Sequence, residues 1–437
     1  MFTKASTYFH HEKYSYFMLF LSFGYCITFL SSDSASRLFQ FLLIMGSLPI
    51  FIFYRNKIFR DRMVKILGLV IAVQVISWAY SLYSLPEIAN SGPKIDRLAK
   101  LFSFFFIAYW LKGKIRNVFL LWSCIPIGFF LGCISQSDFI NTTLLGLNGE
   151  RIDYGLKNEQ YASMLASISL FVSIFLISQT SNFSISKLIK NREPLKYSTI
   201  VLSFISLFSV FVIITTQARQ SWLAIVVIML SLPIYYSYVN SVKSKRKILY
   251  FYSALIVLGL IIVQIPIIQE RLLRENATLI AIVNGDFHSI PMTSIGIRVN
   301  SWIEAIDWII RSPIIGHDNA AIGQVIQQSD NFPQKVKDLF SHLHSYHIEV
   351  LVAYGFLGLS AIYIMYAWLI LSMYSMTKSN HNLKPIFFFC LVFTTYWFIV
   401  NSFETFNSRS MGVYVHNIMF AGFYTFYLTH SLNKQEN

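Results

Sequence analysis

The sequence predicts an all-α polytopic membrane protein of about 12 transmembrane helices, with a large outer loop before the tenth. Three observations carry that reading. Of 437 residues, 55% are hydrophobic and 13% charged, where a soluble domain carries about 25% charged residues to cover its surface. The apolar residues fall in runs close to the roughly 20 residues an α-helix needs to cross a bilayer. The basic residues collect in alternate connections between those runs. An aromatic content of 17% also excludes a disordered chain.

Taken in order, the runs are Tyr16–Leu30, Ala35–Phe53, Val64–Leu82, Leu98–Leu111, Val118–Ile134 and Tyr161–Ser178. Ser198–Thr215, Ser221–Val239, Ile248–Ile268, Tyr346–Met373, Pro385–Val400 and Met411–His430 follow. The first comes after Lys4 and Lys13, as in a signal peptide, but no small-residue cleavage site follows; it reads as a retained helix. The fourth is the shortest, flanked by Lys100 and Lys112.

Loop charge sets the orientation. The N-terminus, every second connection and the C-terminus hold 21 basic residues, from Lys4 to Lys434, against four acids: Glu12, Asp61, Glu193 and Glu436. The other set holds 14 basic and 17 acidic residues. The first set is expected in the cytoplasm, and both termini with it. The formal net charge of +14 is thus a topology signal and no sign of a nucleic-acid partner. Cys26, Cys124, Cys133 and Cys390 lie in apolar runs without a Cys-x-x-Cys, which excludes a disulfide framework or thiolate metal site.

The chain accordingly divides into helices over 1–268, an outer lid over 269–345 and helices over 346–437. Within the lid, Arg298–Ile310 has helical spacing, with Trp302, Ile306 and Ile309 on one face, and Ser312-Pro313 ends it.

Polar residues at the outer face are the functional candidates, because charge near membrane depth is costly unless it serves a site or finds a partner. Arg219 sits in a very short outer connection, Thr215-Thr216-Gln217-Ala218-Arg219-Gln220-Ser221, beside Thr and Gln donors. It either snorkels to headgroups or faces a phosphate, which its planar fork suits. Arg298 opens the lid helix. Arg151 and Lys157 precede the sixth run and have Asp153 and Glu159 beside them as possible partners. The sharpest local signal is Ser341-His342-Leu343-His344-Ser345-Tyr346-His347-Ile348-Glu349, where the lid enters the tenth run. Three readings stay open: a zinc site using His344 and His347 on a shared helix face, interfacial polar residues, or a general base. Glu349 is placed to orient an imidazole or to stay protonated. Gly355 and Gly358 permit close helix packing.

These residues resemble the O-antigen ligase family of bacterial inner membranes, related to O-antigen polymerases. The family motif of His, then Asn/Ser/Gln, nine residues, Gly, two residues and Gly/Thr/Tyr is matched by His344-Ser345, Tyr346 to Tyr354, Gly355, Phe356-Leu357 and Gly358. His342 takes the place of the family's frequent second His. Arg219 matches an Arg at the outer start of a span. Arg298, Trp302 and Ser312-Pro313-Ile314-Ile315-Gly316 match the lid pattern.

The resemblance implies a GT-C-like membrane glycosyltransferase with its site on the periplasmic face and no metal or other cofactor. Such an enzyme moves a glycan from undecaprenyl pyrophosphate to a hydroxyl of the lipid A–core oligosaccharide, with membrane lipids around it. His344 is expected to deprotonate the acceptor, and Arg219 and Arg298 to hold the pyrophosphate. Direct attack inverts the anomeric carbon; a retaining route needs a carboxylate nucleophile, and Glu404 is the outer carboxylate to watch. Arg151 and Lys157 are weaker candidates for carrier or acceptor phosphates. The rival readings are an O-antigen polymerase, a protein–glycan ligase, and, from another class, a polysaccharide transporter or flippase. No matching halves of the transporter kind are evident.

Overall fold

A computed structural model describes residues 12–135, 138–181, 193–240 and 244–434. Lys4, Lys187, Lys190, Arg192, Lys243 and Glu436, used above for orientation, lie outside the described residues. The described residues are 81% helix, with no strand among them. Nine helices there are long and apolar enough to cross a membrane. They include α1 (Asp33–Phe53), α2 (Arg62–Ser84), α3 (Ile115–Ile134), α4 (Glu159–Ser181), α5 (Glu193–Thr215) and α6 (Arg219–Asn240). After them come α7 (Lys245–Val263), α8 (Tyr346–Ser379) and α9 (Lys384–Phe403).

Three of the twelve apolar runs fall outside these nine, and one of them is not a single helix. Tyr16–Leu30 becomes the 17-residue helix Glu12–Thr28. Met411–His430 lies in α10 (Ser410–Lys434), a helix buried along most of its length. Its mid-helix polar residues His416, Asn417 and Thr425 are buried. Leu98–Leu111 is not one helix; it divides into Asp96–Ala99, a 3₁₀ turn Lys100–Phe102 and the helix Phe104–Leu111. Asn417 of α10 stabilises that break. Its Oδ1 accepts from the Phe104 amide at 3.1 Å, and its Nδ2 donates to the Lys100 carbonyl at 3.0 Å. Backbone groups released from a helix in an apolar environment need such a partner.

Between α7 and α8 the chain forms short helices and a small core of its own. Ala305, Trp308, Ala321, Val325, Ile326, Phe332, Val336 and Leu343 pack there with Val352 of α8. The lid helix runs Ser294–Arg311, capped by Thr293, whose hydroxyl accepts from the Gly296 amide at 3.2 Å. Its buried face is not the one the apolar spacing indicates. Ser301, Ala305 and Trp308 are buried, whereas Ile306 is 51% exposed. The two halves of the helix serve different neighbours. The first half turns Ile295, Arg298, Val299 and Trp302 to a membrane cavity, and the second half packs on the lid core.

Gly355 does more than allow close packing. At φ 58°, ψ −162° it interrupts α8. Phe356 and Leu357 then donate to the lid carbonyls of Pro313 and Ile314 at 2.8 and 3.1 Å. His317 and Asp318 donate in turn to the α8 carbonyls of Val352 and Ala353 at 2.9 and 2.8 Å. A Cβ on Gly355 would collide with the Ile314 carbonyl, and one on Gly316 with the α8 backbone. Only glycine tolerates both the conformation and the approach.

Candidate functional site

The site lies where the lid joins the end of the bundle. His344 sits at φ 51°, just before the α8 N-cap Ser345. The segment that carries it is pinned on three sides. The Leu343 amide donates to Glu349 Oε1 at 3.1 Å, and the Leu343 carbonyl accepts from the Trp302 indole at 2.8 Å. The Tyr346 amide donates to the Glu404 carbonyl at 3.3 Å. Such anchoring supports the unusual φ of a non-glycine residue.

Glu404 follows α9 and is the centre of the cluster. Its Oε2 lies 3.5 Å from His344 Nδ1 and 3.9 Å from Arg298 Nη2, and its Oε1 lies 3.7 Å from His342 Nε2. Burial alone would raise the Glu404 pKa. The hydrogen bond and charge from His344, then His342 and Arg298, overcome that and hold it at about 2. Burial, then the neighbouring His344, pushes His342 down to about 4, against the pull of Glu404. Burial also lowers Arg298 despite Glu404, so the pair offsets part of the cost of burying the guanidinium. Arg298 is held further by its Nη1 donating to the Ser294 carbonyl at 2.9 Å and its Nε donating to the Phe403 carbonyl at 3.3 Å.

Two expectations for this region change. His344 precedes the helix, so it shares no helix face with His347. The latter turns away, its ring nitrogens meeting the Phe398 carbonyl at 3.2 Å and the Tyr363 hydroxyl at 3.3 Å. The His-x-His-x-x-His zinc reading fails on that geometry. The group able to hold a cation is instead His342, His344 and Glu404, whose donor atoms lie within 4.8 Å of one another. Glu349 orients no imidazole; its second oxygen accepts from the Ser408 hydroxyl at 3.4 Å, so it braces the turn after Glu404.

The other cations stand around this centre. Arg219 opens α6 and pairs with Glu275 at 2.8 Å; Thr293 donates to the other Glu275 oxygen at 2.6 Å. Arg151 pairs with Glu159 at 3.2 Å and donates to the Thr216 carbonyl at 2.9 Å. Lys157 lies over the Tyr161 ring at 4.5 Å, while Asp153 accepts from the Gly155 amide.

A cavity of about 870 Å³ opens beside the cluster. Its walls are apolar side chains from α4 to α7 and the lid, among them Leu170, Ile213, Leu223 and Ile262. Arg219, Arg271 and Arg298 stand among them. Sequence reasoning gives Arg271 and Glu275 no role and marks Gln220 only as a polar neighbour of Arg219. Glu270-Arg271 reads as an ordinary charged flank of an apolar run, and only the fold brings Arg271 to the cavity.

Fold and site together define a multi-pass helical membrane protein with a charged, histidine-bearing site at one end of the bundle. Residues 204–363 match the family model described as O-Antigen ligase. Over that stretch the chain is similar to the O-antigen ligase domain, which supports assignment to a family of membrane glycosyltransferase-like enzymes. The search of curated proteins gives no match. The matched stretch contains Arg219, Arg271, Arg298, His342 and His344; Arg151, Lys157 and Glu404 lie outside it.

Proposed function

We propose that this protein is an O-antigen ligase, transferring a glycan from undecaprenyl pyrophosphate to a lipid A–core hydroxyl. The observation that carries the reading is the position of Arg298. It lines the apolar cavity and also approaches Glu404, the carboxylate beside His344. A lipid chain in the cavity with its phosphates at the arginine end would bring the anomeric carbon toward His344. Interaction with Glu404 at Nδ1 leaves Nε2 of His344 to take the proton of the acceptor hydroxyl. The hydroxyl oxygen attacks the anomeric carbon, the bond to the pyrophosphate breaks, and the arginines hold the departing negative charge.

In this reading the twelve-span, GT-C-like topology places the site on the periplasmic side of a bacterial inner membrane and both termini in the cytoplasm, following the distribution of basic residues. The division at residues 268 and 345 separates the lid from the spans. Direct displacement inverts the anomeric carbon and needs no metal. Arg151 and Lys157 flank the site as contacts for acceptor or carrier phosphates.

The test is the lipopolysaccharide of a strain lacking the protein, complemented with wild type or His344→Ala. Wild type should restore polymer on the core; His344→Ala should insert normally and leave carrier-linked polymer with bare core. Capped core at wild-type levels with His344→Ala would remove that residue from catalysis. Core bearing a single repeat in the deletion strain would make the protein a polymerase.

A further inference from the structure

Resting on that functional reading, we propose that Arg271 and Gln220 form the anchor for the diphosphate of the lipid donor at the head of the cavity. Of the three arginines lining the cavity, two already have carboxylate partners: Arg219 with Glu275 at 2.8 Å and Arg298 with Glu404 at 3.9 Å. Arg271 makes no ion pair among the described residues. Its side chain donates from Nε to the Gln217 carbonyl at 3.4 Å. Burial, then Arg219, Arg151 and Arg274, lowers its pKa to about 10. Glu275 pulls the other way but is paired with Arg219, and an anion in the cavity would relieve the crowding of cations around Arg271.

Gln220 points to the same ligand independently. It lines the cavity, is 7% exposed, and neither atom of its side-chain amide has a hydrogen-bond partner. Arg219 Nη1 is also buried without a partner. An unsatisfied buried polar group costs roughly 1–3 kcal/mol, and phosphate oxygens accepting from these groups would remove that cost. Both residues stand in the first turn of α6, a helix of 22 residues whose amide dipoles favour an anion there. Ile262, Ile265 and Ile268 continue the cavity as apolar wall. A compact, doubly phosphorylated head on an isoprenoid chain fits that distribution. Arg271 thus serves binding, while Arg298 stands nearer the reacting atoms.

The test is equilibrium binding of geranylgeranyl diphosphate to the full chain in detergent micelles, for wild type, Arg271→Gln, Arg271→Lys and Gln220→Leu. Melting temperatures establish that each variant is folded. Loss of a charge-assisted hydrogen bond predicts about ten- to a hundredfold weaker binding for Arg271→Gln. Arg271→Lys should recover part of it, Gln220→Leu should weaken binding several-fold, and excess phosphatidylglycerol should compete poorly. Steady-state transfer by Arg271→Gln should show a raised KM with kcat little changed. Wild-type affinity in both Arg271→Gln and Gln220→Leu would overturn this assignment and leave the functional reading standing. Equal competition by phosphatidylglycerol would overturn it as well, making the site one for phospholipid headgroups. No binding of the diphosphate by wild type would defeat the functional reading itself.

Discussion

Glu404→Gln removes one charge at the centre of the site while keeping the shape of the side chain. Glu404 is 4% exposed, so solvent screens its interactions little. A carboxyl held at about 2 rather than 4.5 favours its charged form by about 3 kcal/mol relative to the unfolded chain. Because the folded pKa is the lower one, this stability is present above pH 4.5 and is lost as the pH falls toward 2. The variant has no such contribution to lose. The measurement is the unfolding free energy of wild type and variant in mixed micelles, at neutral pH and in steps below pH 5. Wild type should exceed the variant by about 3 kcal/mol at neutral pH, and the gap should close in acid. His342 titrates with the same sign, since its pKa is lowered from 6.5 to about 4. Without the pull of Glu404 the His342 pKa falls further, so its share of the acid destabilisation, between about pH 6.5 and 4 in wild type, should be larger in the variant. Equal stability at neutral pH, or a gap that persists undiminished once the pH falls toward 2, would refute the reasoning.

Gly355→Ala places a side chain at φ 58° and against the Ile314 carbonyl. The conformation alone costs roughly 1–3 kcal/mol; faster proteolysis within residues 269–345 should accompany the lost stability, and unchanged cleavage there would argue against the docking role. Removal of divalent ions tests the His342, His344 and Glu404 cluster. Transfer by purified protein in chelator should match the untreated enzyme, and a loss reversed by one added metal would reassign the cluster as a metal centre.

The membrane class and most of the helices are legible in the sequence because apolar length is a local property. The breaks are not. Leu98–Leu111 is apolar apart from Lys100 and Ser103, yet it divides, because Asn417, more than 300 residues away, supplies partners for the released backbone groups. The histidine motif is visible because His342, His344 and His347 are sequence neighbours. Their roles depend on where the helix starts, and the extended Ser345 cap puts His344 outside it and His347 inside. Glu404 is recognisable only as an outer carboxylate, since its partners arrive from two other segments. Arg271 carries no local signal, and Gln220 only that of a polar neighbour of Arg219. The lone charge and the unsatisfied amide become informative only beside the cavity.

The spacing between His344 and Gly355 has a structural reason beyond helix packing. The lid is tied to the first half of α8 at two places: around residues 343–346, through Trp302, Glu349 and Glu404, and around residues 352–357, through Pro313 to Asp318. One short length of helix therefore fixes His344 and also the end of the lid helix that carries Arg298. Arg298 in turn reaches both the cavity and Glu404. A shift of the lid along α8 would separate the arginine at the head of the cavity from the imidazole beside it. Glycine at position 355 lets the lid backbone approach closely enough to exclude that shift, so the motif sets the relation between the cavity and His344, on which the proposed transfer depends.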